Sequence, residues 1–270
     1  MICSPQRWAA GLALMALLAG CTAVRTTAPG TVGVERRSLL LVSSSQMVAA
    51  AKENYAQVIG KAAAQGRLNS DEEMARRVRQ VGERLVPQAT VFRADAAGWD
   101  WEFNVIHEDT LNAWCMPGGK IAFYSGIIEQ LRLDDEEIAA IMGHEIAHAL
   151  REHGRERVSQ HMVARFGLNI AQIAGNNALV GPQLAQVVQV AWLLPNSRLH
   201  ETESDRIGVE LAARAGYDPR AAVRVWEKMR SKGGGGPEFM STHPSHETRI
   251  ADLTSYSAKV MHLYEAAKNR

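Results

Sequence analysis

The stretch His144-Glu145-Ile146-Ala147-His148 constrains this chain more than any other. On a helix, positions four apart share one face and lie about 6 Å apart along the axis. Two imidazoles so placed can share one Zn²⁺ ion, and Glu145 can reach a water on that ion. The flanking residues favour a helix with one buried face. Asp134 and Glu137 have capping-box spacing. Ile138, Ile141, Met142, Ile146 and Ala149 then recur at helical intervals. Gly143 permits close approach of a backbone or a substrate, or simply tight packing.

A catalytic zinc takes three protein ligands and leaves one position open. His153 falls about 180° round the helix from His144, and Glu152 falls about 12 Å along it. The extended pattern H-E-x-x-H-x-x-G-x-x-H needs Gly at 151 and His at 154, where this chain has Arg151 and Gly154. The third ligand is therefore expected from another segment. Glu201-Thr202-Glu203-Ser204-Asp205 is the best one, because Glu201 and Asp205 share a helix face while Glu203 points elsewhere. Glu201 can bind the metal, and Asp205 can accept the N–H of a ligand histidine and fix its tautomer.

Trp99 to His107 alternates apolar and polar residues and predicts a half-buried strand. Asn112 to Tyr124 predicts a second strand, Lys120 to Tyr124, entered through a Pro117-Gly118-Gly119 turn. Ser43–Gln65 and Ser70–Val86 predict helices, the second with Ser70 and Glu73 at capping-box spacing. Asp218 and Pro219 read as N-cap and first residue of a further helix. Leu168 to Leu194 is apolar but broken by Asn and Gln, so it is no membrane span. It predicts two helices broken near Gly181-Pro182, serving as core, as a flap over the cleft, or as a contact with the bilayer. Gly233 to Gly236 predicts a flexible loop.

Together these motifs resemble the gluzincin metallopeptidases of the CAAX prenyl protease / HtpX family, with the nearest likeness to LoiP-like and BepA-like periplasmic members. The matching pieces also include Asn112-Ala113 with Pro117-Gly118-Gly119, Arg206-Ile207-Gly208, Gly216-Tyr217-Asp218-Pro219, and Thr242-His243-Pro244 with Arg249. The likeness runs from about residue 70 to about residue 255. It implies an α+β, mostly helical, zincin-type domain with a small sheet bordering the cleft. It implies one Zn²⁺ per chain on His144, His148 and Glu201, with Glu145 as general base and Asp205 in support. It places His243 close to the metal, either stabilising the tetrahedral intermediate or capping the zinc at rest. A plain His-Pro turn is the other reading. The strand carrying Asn112, Ala113, Gly118 and Gly119 would border the cleft and bind a peptide by main-chain hydrogen bonds.

The N-terminus suggests a compartment. Arg7 is the sole charge before an apolar run from Trp8 to Gly20, which suits a signal peptide rather than a span. Leu18-Ala19-Gly20-Cys21 reads as a lipobox, with lipidation at Cys21 and Thr22 favouring the outer membrane. The expected organisation is thus a signal peptide over 1–20, a tether over 21–42 and a metallopeptidase domain over 43–270. Beyond Arg7 the chain carries 29 basic and 29 acidic residues, and nothing points to nucleic acid. Cys115 has no intramolecular partner once Cys3 is cleaved off and Cys21 acylated, so it reads as a buried thiol. The expected activity is an endopeptidase, lipid-anchored to the outer membrane and facing the periplasm, acting on misfolded or misassembled envelope proteins. A homo-oligomer or an envelope protease partner is left open. The rival readings are a protease-like chaperone or binding lipoprotein, and a zinc aminopeptidase, for which no amine-binding acidic motif is visible.

Overall fold

The computed structural model describes residues 23–166, 195–232, 241–244 and 248–269. The expected signal peptide, Cys21, the 168–194 segment and the Gly233–Gly236 loop lie outside the described residues. In chain order the elements are β1 (Ala23–Val24), β2 (Ser38–Leu39), α1 (Ser44–Ala64), α2 (Glu72–Ala89), β3 (Glu102–Ile106), β4 (Ala113–Met116), β5 (Lys120–Tyr124), α3 (Ser125–Gln130), α4 (Asp135–Leu150), α5 (His153–Phe166), α6 (Arg198–Arg214), α7 (Ala221–Ser231) and α8 (Arg249–Lys268), with a 3₁₀ turn over Ala94–Gly98. The fold is α+β and mostly helical. No helix among the described residues is long and apolar enough to cross a membrane.

Helix α4 carries the histidine motif and starts as its sequence predicts. Asp134 accepts from the Glu137 amide at 2.8 Å, and Glu137 accepts from the Asp134 amide at 3.0 Å. Every residue from Glu137 to Leu150 is buried, not one face alone. Small residues explain this. Ala139, Ala140, Gly143, Ala147 and Ala149 let neighbours close in on the remaining sides, as in any helix enclosed by a core. Helix α6 comes closest. A Cβ on Gly143 would stand 2.8 Å from the Gly208 carbonyl oxygen, and one on Gly208 would stand 2.8 Å from the His144 nitrogen. The two glycines therefore let two backbones touch, which resolves the open reading of Gly143.

The sheet has the order β3-β5-β4, with β3 parallel and β4 antiparallel to β5. The predicted strand Lys120–Tyr124 is thus central. The edge strand is β4, which the sequence reading had merged into the approach to the turn. Gly118 and Gly119 make the β4–β5 turn, both at φ 87°, where side chains are strained. A Cβ on Gly119 would also stand 2.7 Å from the Trp101 ring.

Two helix starts move. The α2 N-cap is Asp71, which accepts from the Met74 amide at 2.9 Å, so Ser70 is not the cap. Asp218 accepts from the Arg220 amide at 2.9 Å and closes a turn, and α7 proper begins at Ala221.

The tether expected over 21–42 is corrected for residues 23–42. That segment is part of the folded unit. β1 and β2 pair antiparallel, and Val32, Val34, Leu40 and Val42 are buried. Its sequence lacked the long periodic run that would have revealed this, since only isolated apolar residues turn inward.

Candidate metal centre and active-site cleft

His144 and His148 project from α4 toward α6, where Glu201 faces them. His144 Nε2 lies 3.0 Å from His148 Nε2 and 3.4 Å from Glu201 Oε2. His148 Nε2 lies 3.3 Å from Glu201 Oε1. His243 adds Nδ1 at 3.3 Å from His144 Nε2 and 3.2 Å from Glu201 Oε1. These four buried residues offer one ligand atom each, all within 4.8 Å of one another. A tetrahedral zinc with bonds near 2.0–2.1 Å has ligand atoms about 3.3 Å apart. The donor set and its spacings therefore fit a zinc-sized ion.

The carboxylates around this cluster are held in place. Asp205 Oδ1 lies 2.9 Å from His144 Nδ1, as the i, i+4 spacing to Glu201 predicts. Arg249 donates to Glu201 Oε2 at 2.9 Å and to Asp205 Oδ1 at 2.7 Å. Its guanidinium stacks 3.7 Å over the Trp226 ring. Burial would push the Glu201 carboxyl up, but His243, His144 and His148 outweigh it and hold the group well below its usual range. Burial also opposes charge on His144, yet Asp205 and Glu201 override that and raise its pKa to about 10. Glu145 differs. Its burial raises the pKa, and His243 Nε2 stands 3.4 Å from Oε1, an atom with no hydrogen bond. A buried carboxylate with an idle oxygen, facing the donor cluster, is suited to take up a proton.

The cluster opens into a cleft of about 290 Å³ lined by β4, α1 and α4, with Glu145, His148 and His243 at its base. Asn112 and Ala113 line it, and Gly118 and Gly119 do not. The glycines were assigned to the edge strand because they adjoin it in sequence. Their positive φ angles place them in the turn instead. Cys115 is buried in β4, and burial raises its thiol pKa well above the usual range. Asn196 donates twice to the Thr242 carbonyl, at 3.0 and 3.1 Å, which ties down the turn presenting His243.

A further layer escaped the sequence reading. His153 lies off the α4 face because the chain turns at Glu152, whose φ is +57°. That turn brings His153 Nδ1 back to 2.9 Å from His148 Nδ1. His153 Nε2 lies 3.0 Å from Glu203 Oε2. Glu203 does point away from Glu201, as its spacing requires, but it is buried behind His148 rather than solvated. Extrapolating α4 as a straight helix hid this contact.

Comparison with known proteins agrees with this geometry. The model of peptidase family M48 matches residues 72–257. The mitochondrial metalloendopeptidase OMA1 of Arabidopsis thaliana is 38% identical over 56% of this chain and 30% of its own length. The OMA1 of Saccharomyces cerevisiae is 33% identical over 62% and 50%. The β-barrel assembly-enhancing protease of Escherichia coli is 28% identical over 68% and 39%. The chain therefore spans half or less of the length of these relatives. The OMA1 relatives are mitochondrial, which overturns the outer-membrane, lipid-anchored location expected from Leu18 to Cys21. That expectation rested on four residues at the end of an apolar run, where small side chains are common for other reasons. Family match, motif and donor geometry coincide on the same residues, and the chain belongs to peptidase family M48.

Proposed function

We propose that this chain hydrolyses internal peptide bonds of unfolded or misassembled proteins, with a single zinc held by His144, His148 and Glu201. The observation that carries this reading is the tetrahedral spacing of the donor atoms at the base of a cleft, with Glu145 beside them. Zinc, when bound, supplies Lewis acidity for the attacking water and the scissile carbonyl. Glu145 takes the proton from the water nucleophile and passes it to the leaving amine. Asp205 and Arg249 hold His144 and Glu201 in their ligating orientations. His243 Nδ1 lies 3.3 Å from His144 Nε2 and 3.2 Å from Glu201 Oε1, so it would have to move aside for a water to stand beside the bound metal.

The edge strand supports the choice of substrate. Among the described residues β4 has β5 on one side only, and Asn112 to Met116 line the cleft. An extended peptide can add to that edge through main-chain bonds, which read backbone more than side chains. Only unfolded segments offer a free backbone. Likeness to the β-barrel assembly-enhancing protease supports a client class that includes membrane β-barrel proteins caught in assembly.

The test is digestion of one protein in its native and its reduced, unfolded forms by the zinc-loaded full chain, followed by mass spectrometry. The expected result is internal fragments from the unfolded form only. Stepwise loss of terminal residues would make it an aminopeptidase, and intact substrate bound without cleavage would make it a chaperone.

A further inference from the structure

The two histidines of the centre are supported by different means. His144 meets the Asp205 carboxylate directly, and Arg249 fixes that carboxylate. His148 meets another histidine. With His148 Nε2 among the donor atoms, its Nδ1 carries the hydrogen and donates to His153 Nδ1, 2.9 Å away. Ser204 Oγ is a second contact at that atom, at 3.3 Å. His153 then holds its own hydrogen on Nε2 and donates to Glu203 Oε2 at 3.0 Å. One assignment of hydrogens satisfies the whole chain of groups.

Glu203 is buried, so its charge needs partners. Arg151 donates from Nε and Nη2 to Oε2 at 3.1 and 3.0 Å. Arg36 donates from Nε to Oε1 at 2.8 Å and from Nη2 to Oε2 at 3.1 Å. Arg36 also forks onto Glu156 of α5, at 2.6 and 2.8 Å. It stands in the 23–42 segment, outside the matched region 72–257. That segment is fastened independently. Arg151 Nη1 donates to Thr26 and Thr27 at 3.1 and 3.2 Å, and Arg151 Nη2 donates to the Arg36 carbonyl at 3.2 Å. Leu41 donates its amide to Ser159 at 2.9 Å.

We propose that Arg36 is a positioning residue for the metal ligand His148, acting through Glu203 and His153. The N-terminal strap thereby completes a centre whose ligands all lie in the matched region. The proposal rests on the metal-site reading above. Without Arg36, Glu203 Oε1 loses its guanidinium partner, and the carboxylate is held by Arg151 at Oε2 alone and can pivot about that oxygen. The anchor of His153 then loosens, and with it the group that fixes the His148 ring.

The test is zinc affinity of the full-length chain by chelator competition, with the absorption spectrum of the cobalt(II)-substituted protein as a second readout. Second-layer losses typically weaken metal binding about 10–100-fold, so His153→Ala and Glu203→Gln are expected in that range, and Arg36→Ala near about 10-fold. The cobalt bands should shift in all three. Added to His153→Ala, Arg36→Ala should cost nothing more, because the path is already cut. Arg25→Ala, in the same strap but in an exposed pair with Glu35, should leave affinity unchanged. If Arg36→Ala does not fold, Arg36→Gln, which keeps the length without the charge, is read in its place.

Unchanged zinc affinity and cobalt spectrum in the folded Arg36 variant overturn the proposal. So do losses that simply add in the double variant. A wild-type chain that holds no stoichiometric zinc refutes the metal-site reading itself, an outcome distinct from either.

Discussion

Glu145 and His243 face each other across 3.4 Å at the base of the cleft, and the effects expected of the two on activity are opposite in sign. Glu145→Gln keeps the size and burial of the side chain but cannot take a proton. Cleavage should fall by about 10²–10⁴-fold, the usual worth of a general base, while zinc content stays at the wild-type level. Zinc analysis and peptide cleavage on the same sample check this, and retained cleavage at full zinc removes Glu145 from the role. His243→Ala should act the other way. Its Nδ1 lies 3.3 Å from His144 Nε2 and 3.2 Å from Glu201 Oε1, so if it caps the metal at rest its removal should raise basal cleavage. A fall in kcat at unchanged zinc occupancy would instead make His243 a stabiliser of the oxyanion. At this scale the sequence was most legible. His144, Glu145 and His148 follow from helical spacing alone, and Glu201 and Asp205 from the same rule applied to a second segment. Arg36, His153 and Glu203 were not legible. Their contacts span 120 or more residues in one case and a left-handed turn in the other, and no local period records either.

The crossing of α4 and α6 decides whether those ligands meet. Gly143 and Gly208 bring the two backbones into contact directly beside His144. Gly208→Ala would put a methyl group 2.8 Å from the His144 nitrogen and 3.0 Å from its Cα, both backbone atoms that cannot swing aside. The helices must separate, at a cost of about 1–3 kcal/mol for an overpacked core site. Chemical denaturation should show a lower midpoint, and zinc affinity should fall with it because Glu201 moves away from the histidines. An unchanged midpoint would mean that the crossing has slack. Elements were legible where period and caps agreed, as in α4. The edge strand β4 was not, because its four residues, Ala113 to Met116, are all buried and show no alternation.

Across the whole molecule the N-terminal strap carries a charge balance that depends on pH. Burial would raise the Glu156 carboxyl, but His200 and Arg36 outweigh it and hold it well below the usual carboxylate range. A depressed carboxylate pKa adds stability above the unfolded value, near about 4.3, and that stability is lost as pH falls toward the folded value. The difference in unfolding free energy between wild type and Glu156→Gln should therefore be larger above about pH 5 than below about pH 4, shrinking as the medium turns acid. A difference that grows with acidity would reverse the sign and contradict the ion pair with Arg36. At this scale the sequence misled twice. A short apolar N-terminal run with a cysteine suggested a lipid-anchored location that the mitochondrial relatives overturn. The strap behind it was read as a tether because its anchors are single residues scattered among polar ones.

The cluster of His144, His148 and Glu201, with Glu145 beside it, is proposed to hydrolyse peptide bonds through bound zinc. The most direct measurement is casein cleavage by the purified full chain, with zinc content determined on the same sample, before chelation, after chelation and after zinc is restored. One zinc per chain is expected, with cleavage lost when the metal is removed and regained on its return. Cleavage that persists in the chelated, zinc-free protein would contradict that expectation.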